Sequence, residues 1–377
     1  MQSIGVIGGG QLGRMFALDA KRMGYHVIVL DPQENSPGGQ VADEQILAAY
    51  DDFDAIDDLG KRTDVVTYEF ENIAIDSVQY LERTGYRVTP SSDVLRITQD
   101  RMLEKDFVRA CGIATADYHA IASQHDLTDA IDAVGFPAVL KTVRGGYDGK
   151  GQWRANVLAE AERAYAEANG APLIYEQMIP FTKELSVIAT RDAKDRVVTY
   201  PVAENQHDAG ILAMTIAPAR VSKDIAARAE VIASTIGRKL NIVGTYCVEL
   251  FLTQNDELLV NEIAPRPHNS GHYTMDVTQC SQFEQHVRAI CELPLAQPTL
   301  LSNAIMMNIL GDGTGDVLAN VDALLVDPSI VLHMYGKKHA KSRRKMGHFT
   351  MLIDGPIDDK AILRAQSAHN ALRWSKN

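Results

Sequence analysis

Two strand-like runs, Gly244 to Leu252 and Glu257 to Ile263, are separated by the polar pair Asn255-Asp256. This spacing predicts an antiparallel hairpin closed by a two-residue turn. Counting back along both strands from that turn sets Glu249 directly opposite Glu262. Side chains paired in this way share one face of the ribbon, and two facing carboxylates repel unless a cation sits between them. Ligands made only of oxygen suit Mg²⁺ bridging to phosphates. The pair therefore demands a sheet that turns this face toward a polar cleft.

The residues that follow are as crowded as any in the chain. Asn261-Glu262-Ile263-Ala264-Pro265-Arg266-Pro267-His268-Asn269-Ser270-Gly271-His272 supplies a carboxylate, a guanidinium, two imidazoles, two amides and a hydroxyl. Pro265 and Pro267 each fix their own φ, so Arg266 projects from a stiff backbone suited to pre-organised contacts.

A length of 377 residues implies two or three domains, and 46% hydrophobic residues can fill their cores. No apolar run approaches a membrane span and no cleavable leader is evident, so a cytoplasmic protein is expected. Cys111, Cys247, Cys280 and Cys291 lack CxxC spacing and read as buried free thiols. A formal charge of −12 argues against non-specific binding to nucleic acid or membranes, so any anionic ligand must be held by local positive charge.

Ile4 to Ile7 reads as a buried strand, and Gly8-Gly9-Gly10-Gln11-Leu12-Gly13 fits GxGxxG and opens a helix. With Asp31 ending the next strand, this is the outline of a dinucleotide fingerprint, yet such a loop suits any phosphate or simply close helix packing. Glu69 and Glu71 follow the strand at Asp64 to Tyr68, at the end where open sheets bind ligands. Ser91 to about Cys111 is expected to form one long helix whose exposed face carries Asp100, Arg101, Glu104 and Lys105.

A short strand then delivers Lys141 ahead of a loop with four glycines between Gly145 and Gly151, able to close on phosphates. It is not a Walker A loop, since no Ser or Thr follows Lys150. From about Pro294 the pattern suggests a small β-rich domain with strands at 303–310, 330–335 and 348–353 and a closing helix. A basic turn, Gly336 to His348, interrupts it, and one reading is a phosphate clamp where this domain folds back on the first.

Lys141 before a glycine loop, the strand end Glu176-Gln177-Met178-Ile179 and the paired glutamates together resemble the ATP-grasp fold. More closely, the chain resembles the N5-carboxyaminoimidazole ribonucleotide synthetases of purine biosynthesis. The resemblance runs nearly end to end, through GGGQLGRM at Gly8, YEFEN at Tyr68, QDRMLEK at Gln99, GGYDGKGQW at Gly145, ENQH at Glu204, NEIAPRPHNSGH at Asn261 and RKMGH at Arg344. It implies an α/β and α+β architecture. Residues 1–98 would form a Rossmann-like pre-ATP-grasp domain, 99–295 the ATP-grasp domain with a lid at about 115–178, and 296–377 a small C-terminal domain.

The resemblance also implies roles. Arg101 and Lys141 would contact the phosphates of ATP under a lid formed by Gly146, Tyr147, Asp148, Gly149, Lys150, Gly151 and Gln152. Glu176, Gln177, Met178 and Ile179 would hold adenine through backbone groups and Glu184 the ribose, with His207 and Asn261 completing the site. Glu249 and Glu262 would bind Mg²⁺. Tyr147, Asp148, Lys150, Arg266, His268 and Lys337 would act on 5-aminoimidazole ribonucleotide and bicarbonate. Gln11, Glu69 or Glu71, Asn269 and Ser270 would lie beside that substrate, and Arg344 and Lys345 would take its phosphate. A homodimer is implied as well.

The implied chemistry suits these residues. ATP would phosphorylate bicarbonate to carboxyphosphate, a step dominated by positioning and charge neutralisation, and the substrate amine would then attack the carbon. His268 has an ordinary pKa suited to accepting the amine proton or to promoting carboxyphosphate breakdown. Two features depart from the family pattern. Lys341-Ser342-Arg343 stands where Arg-Pro-Gly is usual, which loosens the expectation for the phosphate turn. Ala264 stands where many ATP-grasp enzymes have Asn, which leaves two side chains for the metal.

Overall fold

The computed structural model describes residues 2–146 and 149–376. Its first sheet is parallel, in the order β3-β2-β1-β4, from β1 (Ser3–Ile7), β2 (His26–Leu30), β3 (Glu44–Ile46) and β4 (Val65–Tyr68). β1, β2 and β4 are short apolar runs buried on both faces, as expected when helices cover both sides, while β3 is a polar edge strand. Gly13 lets the first helix, Gln11–Arg22, pack against the sheet, because a Cβ there would meet the Gly8 carbonyl oxygen at 2.6 Å.

A second, antiparallel sheet in the order β5-β8-β6-β7 comprises β5 (Tyr118–Ile121), β6 (Ala138–Thr142), β7 (Gln152–Ala155) and β8 (Leu173–Gln177). Helices Gln124–Val134 and Leu158–Glu167 cover one face, and Leu127, Leu140, Ala161 and Tyr175 fill the core between. The glycine loop joins β6 to β7 at the rim of this small layer.

The third sheet has nine strands among the described residues. It runs through β9 (Phe181–Arg191), β10 (Val197–Thr199), β11 (Ala203–Asp208), β12 (Ile211–Ala217), β13 (Gly244–Thr253) and β14 (Leu258–Ala264). It continues into β15 (Asn303–Leu310), β17 (Ile330–Met334) and β18 (Lys345–Ile353), while β16 (Val317–Ala319) pairs separately with β19 (Arg373–Ser375). The C-terminal strands thus extend the central sheet, because β15 pairs with β12 from Ala304 opposite Ala217 to Met307 opposite Met214. His272, His333 and His348 pack together beside β17 and β18, with the last two rings stacked 4.6 Å apart and His333 Nε2 2.9 Å from Asp276 Oδ1.

Two local expectations are corrected. The hairpin turn is longer than two residues, since Leu252 pairs with Leu258 and the Thr253 N–H donates to the Glu257 carbonyl, with Asp256 at φ 58°. A β-bulge between Glu249 and Leu250 then takes up one residue of β14, Asn261, and restores Glu249 opposite Glu262. The two departures cancel. The expected helix from Ser91 is in fact two, Ser92–Thr98 and Arg101–Ala110, broken where Asp100 caps the second by accepting the Met102 and Leu103 N–H groups. Glu104 and Lys105 are 3% and 2% exposed, not solvated, because that second helix is pinned between β8 and β14.

Candidate active site

The central hairpin divides its residues by face. Val248, Leu250, Val260 and Ile263 pack into the core against helix Lys223–Lys239, while Glu249, Phe251, Asn261 and Glu262 line a cleft of about 1110 Å³. The bulge explains why neighbours Asn261 and Glu262 both reach the cleft, which regular alternation forbids. Its other walls come from the glycine loop, the end of β8, the strand end after β4, and Lys337 and Lys345.

One half of the cleft is a buried ion network. Lys141 Nζ lies 2.8 Å from Glu176 Oε2 and Lys105 Nζ lies 3.5 Å from the same oxygen. Burial works to raise the Glu176 carboxyl, but Lys141, Lys105 and Arg101 overcome it and hold it down at about 2. Arg101 Nη1 stands 3.4 Å from Glu262 Oε2. Glu104 Oε1 accepts the Ile263 N–H at 2.7 Å, and burial together with the Glu262 charge pushes its carboxyl up to about 8. The apolar wall includes Val139, Met178, Ile179 and a stacked pair, Phe181 and Phe251, with ring centroids 4.8 Å apart. The Gln177 and Met178 N–H groups donate to Asp117 and Pro137 carbonyls.

The glutamate pair stands at the centre. Burial first, and the Glu262 charge second, push the Glu249 carboxyl up to about 7. His207 Nδ1 lies 2.9 Å from Glu184 Oε2; burial lowers this imidazole, yet Glu184, Glu249 and Glu262 leave it above its ordinary value. The buried Oδ1 of Asn261 has no hydrogen bond among the described residues. These are oxygen donors around a concentrated negative charge.

The other half belongs to the Pro265-Arg266-Pro267 segment and its neighbours. Arg266 grips Glu71 through both Nε and Nη2, the latter at 3.0 Å. Burial would raise the Glu71 carboxyl, but Arg266 draws it below the usual range. His268 is clamped at its backbone by Gln282, which accepts its N–H at 2.9 Å and donates to its carbonyl at 2.8 Å. Lys337 Nζ donates to Gln11 Oε1 and to the Lys345 carbonyl, tying the C-terminal strands to the N-terminal helix.

The glycine fingerprint is filled from within. Glu69 accepts the N–H groups of Gly10 and, at 2.7 Å, Gly13, while Asp31 accepts those of Gly9 and Gln33 and the Tyr50 hydroxyl. A protein carboxylate therefore sits where a dinucleotide phosphate would dock. This removes the structural basis for a nicotinamide site.

Of the residues singled out from sequence, Gln11, Glu69, Glu71, Arg101, Lys141, Gly146, Gly149, Lys150 and Gln152 line the cleft. So do Glu176, Gln177, Met178, Ile179, Glu184, His207, Glu249, Asn261, Glu262, Arg266, His268, Asn269, Lys337 and Lys345. Gly151 is not among the lining residues; its carbonyl accepts the Thr142 N–H. Ser270 is fully buried beneath His268, and Arg344 turns away to donate to the His339 carbonyl. Asn269 exchanges both amide hydrogen bonds with Asn308. Tyr147 and Asp148 lie outside the described residues. Sequence reasoning missed Glu104, Phe181, Phe251 and the Ala209-Gly210 turn, which meets Gly149 closely enough that a Cβ there would stand 3.0 Å from the Ala209 oxygen. The QDRMLEK string holds Glu104, but no local period marks it as buried.

Comparison with known proteins finds three family models along the chain. A ribonucleotide synthetase preATP-grasp domain matches residues 1–99, an ATP-grasp domain matches 106–283, and a phosphoribosylaminoimidazole carboxylase C-terminal domain matches 304–357. The chain is 46% identical over 353 residues to N5-carboxyaminoimidazole ribonucleotide synthase of Bacillus subtilis, covering 93% of this chain and 91% of that one. The crystal structure of the Thermotoga maritima synthetase superposes with a TM-score of 0.91 at 40% identity over 100% of both chains. The Aspergillus clavatus enzyme, solved with ADP and 5-aminoimidazole ribonucleotide, superposes with a TM-score of 0.90 at 31% identity, covering 98% of this chain and 99% of that one.

Proposed function

The chain belongs to the N5-carboxyaminoimidazole ribonucleotide synthase family of ATP-grasp ligases, and from that membership and the cleft we propose how its residues work. The reaction is the ATP-dependent carboxylation of the exocyclic amine of 5-aminoimidazole ribonucleotide. Bicarbonate is the carbon source and carboxyphosphate the activated form, since bicarbonate alone is a poor electrophile. ADP and phosphate are released. The single observation that carries this reading is the Glu249–Glu262 pair, with Lys141 and Arg101 on one side of it and Arg266, His268 and Lys337 on the other, all in one cleft.

Adenine lies against Phe181, Phe251, Met178 and Ile179, with Glu184 and His207 toward the ribose. Lys141 leaves Glu176 for the phosphates, and Arg101 stays beside Glu262 to neutralise the transferring group. The donors fit Mg²⁺: two facing carboxylates and the Asn261 oxygen, unbonded among the described residues, supply oxygen ligands only. When bound, Mg²⁺ neutralises phosphate charge and keeps the carboxylate pair ionised. On the acceptor side, Arg266 is held by Glu71 to face the bicarbonate-derived group, while Lys337 and Lys345 offer positive charge to the ribonucleotide. Gly146 and the run Gly149 to Gln152 would close over the nucleotide and exclude water from the labile intermediate.

We take 1–98, 99–295 and 296–377 as the domains, with the last extending the central sheet. Assembly as a homodimer belongs to the same reading. So does a cytoplasmic location; no helix among the described residues is long and apolar enough to cross a membrane.

An ADP-release assay tests the substrate assignment. Release is expected only when 5-aminoimidazole ribonucleotide and bicarbonate are both present with Mg²⁺ and ATP. If formate replaces bicarbonate with no loss of rate, a different carboxylate-amine ligase is at work.

A further inference from the structure

Beneath the cleft runs a line of buried polar side chains that ends on His268. Thr215 Oγ1 donates to Asn205 Oδ1 at 3.0 Å, which leaves the Asn205 amide nitrogen to donate to Ser186 Oγ at 2.9 Å. Ser186 in turn donates to Ser270 Oγ at 2.8 Å, and Ser270 Oγ lies 2.9 Å from His268 Nδ1. Asn205, Ser186, Thr215 and Ser270 are all buried, Ser186, Thr215 and Ser270 with no exposed surface. With the Asn205 amide oxygen on Thr215, its nitrogen can only donate toward Ser186. Each hydroxyl that accepts from behind spends its own proton ahead.

A second contact reaches the same conclusion without any hydroxyl. The Ser270 backbone N–H is directed at His268 Nδ1 at 3.4 Å, and the short turn Asn269–Gly271 holds it there. Only a nitrogen without a proton accepts an N–H. His268 Nδ1 is therefore unprotonated, and the proton of the neutral ring sits on Nε2, which lies 3.3 Å from Glu249 Oε1.

We infer that Asn205, Ser186 and Ser270 are positioning residues whose directed hydrogen bonds hold His268 as its Nε2–H tautomer. His268 then serves the cleft as a hydrogen-bond donor rather than as the base that deprotonates the amine. The clause about the amine rests on the carboxylation reading above; the tautomer does not. The expectation of a basic His268, drawn from its ordinary pKa, gives way because the Nδ1 lone pair is taken up by the Ser270 N–H and hydroxyl.

The test is ¹⁵N NMR of the full chain labelled at the histidine rings, with the His268 signals assigned by their loss in His268→Asn. A pyridine-type Nδ1 and a pyrrole-type Nε2 at neutral pH are expected. A protonated Nδ1, or an imidazolium, overturns the inference. In Ser186→Ala the ring should show a mixture of both tautomers, and kcat should fall about fivefold, as for one lost hydrogen bond, with the KM for ATP unchanged. Unchanged ring nitrogens together with wild-type kcat would overturn the positioning role. Should this variant fail to fold, the wild-type spectrum still decides. ADP release indifferent to the ribonucleotide would sink the carboxylation reading while leaving the tautomer result intact.

Discussion

Glu249 is a residue at the centre of the cleft whose charge state the fold leaves in tension. Its carboxyl is pushed up to about 7 by burial and then by Glu262, whereas in the unfolded chain it titrates near the ordinary carboxylate value. Between those two values the folded protein binds more protons than the unfolded chain, so without metal this group makes stability fall as pH rises through that window. Thermal melts should show this slope flattened in Glu249→Gln, with a gain of order 1–3 kcal/mol at about pH 8. In the wild type, added Mg²⁺ with ATP should stabilise more at about pH 8 than at about pH 6, since the cation then meets two ionised carboxylates. A flat metal effect across that range would contradict the role given to the pair. Glu262→Gln has the complementary outcome: an intact fold by circular dichroism, with turnover lower by about 10²–10³-fold.

At the scale of elements, the structure shows why some of this site was legible in the sequence and some was not. The facing glutamates could be read from strand periodicity and a turn signal, both local properties. The bulge at Asn261 could not, because it depends on how β14 packs between β13 and the helix Arg101–Ala110. Glu104 and Lys105 looked solvated for the same reason: Ile263 and Glu176, the groups that bury them, lie far along the chain. The Gly8–Gly13 fingerprint was recognisable by its spacing, but its occupant was not, since Glu69 arrives from the end of β4. That loop yields a prediction of its own. Gly13→Ala sets a methyl 2.6 Å from the Gly8 oxygen, so it should cost about 1–3 kcal/mol in chemical denaturation by prising the helix Gln11–Arg22 from the sheet. Wild-type stability would mean that the helix has room to shift.

Over the whole molecule, the cleft depends on parts that no single domain supplies. Gln11 comes from the N-terminal helix, Lys141 and Glu176 from the small sheet, the glutamate pair from the central hairpin, and Lys337 from the loop between β17 and β18. Because β15 pairs with β12, a chain ended after residue 295 exposes the edge of β12 and the apolar faces of Met214 and Ile216. Such a truncation should be recovered as aggregate rather than as a smaller active enzyme; a soluble, ATP-hydrolysing product would show the C-terminal strands to be dispensable. The division of the cleft into a nucleotide half and an acceptor half makes one claim above the rest, that phosphoryl transfer on one side is coupled to carbon–nitrogen bond formation on the other. The direct measurement is ¹³C NMR of a reaction containing ¹³C-bicarbonate, ATP, Mg²⁺ and 5-aminoimidazole ribonucleotide. The prediction is a carbamate carbon bonded to the substrate amine, formed mole for mole with ADP. ADP appearing without that carbon signal, or the signal appearing without ATP, would contradict it.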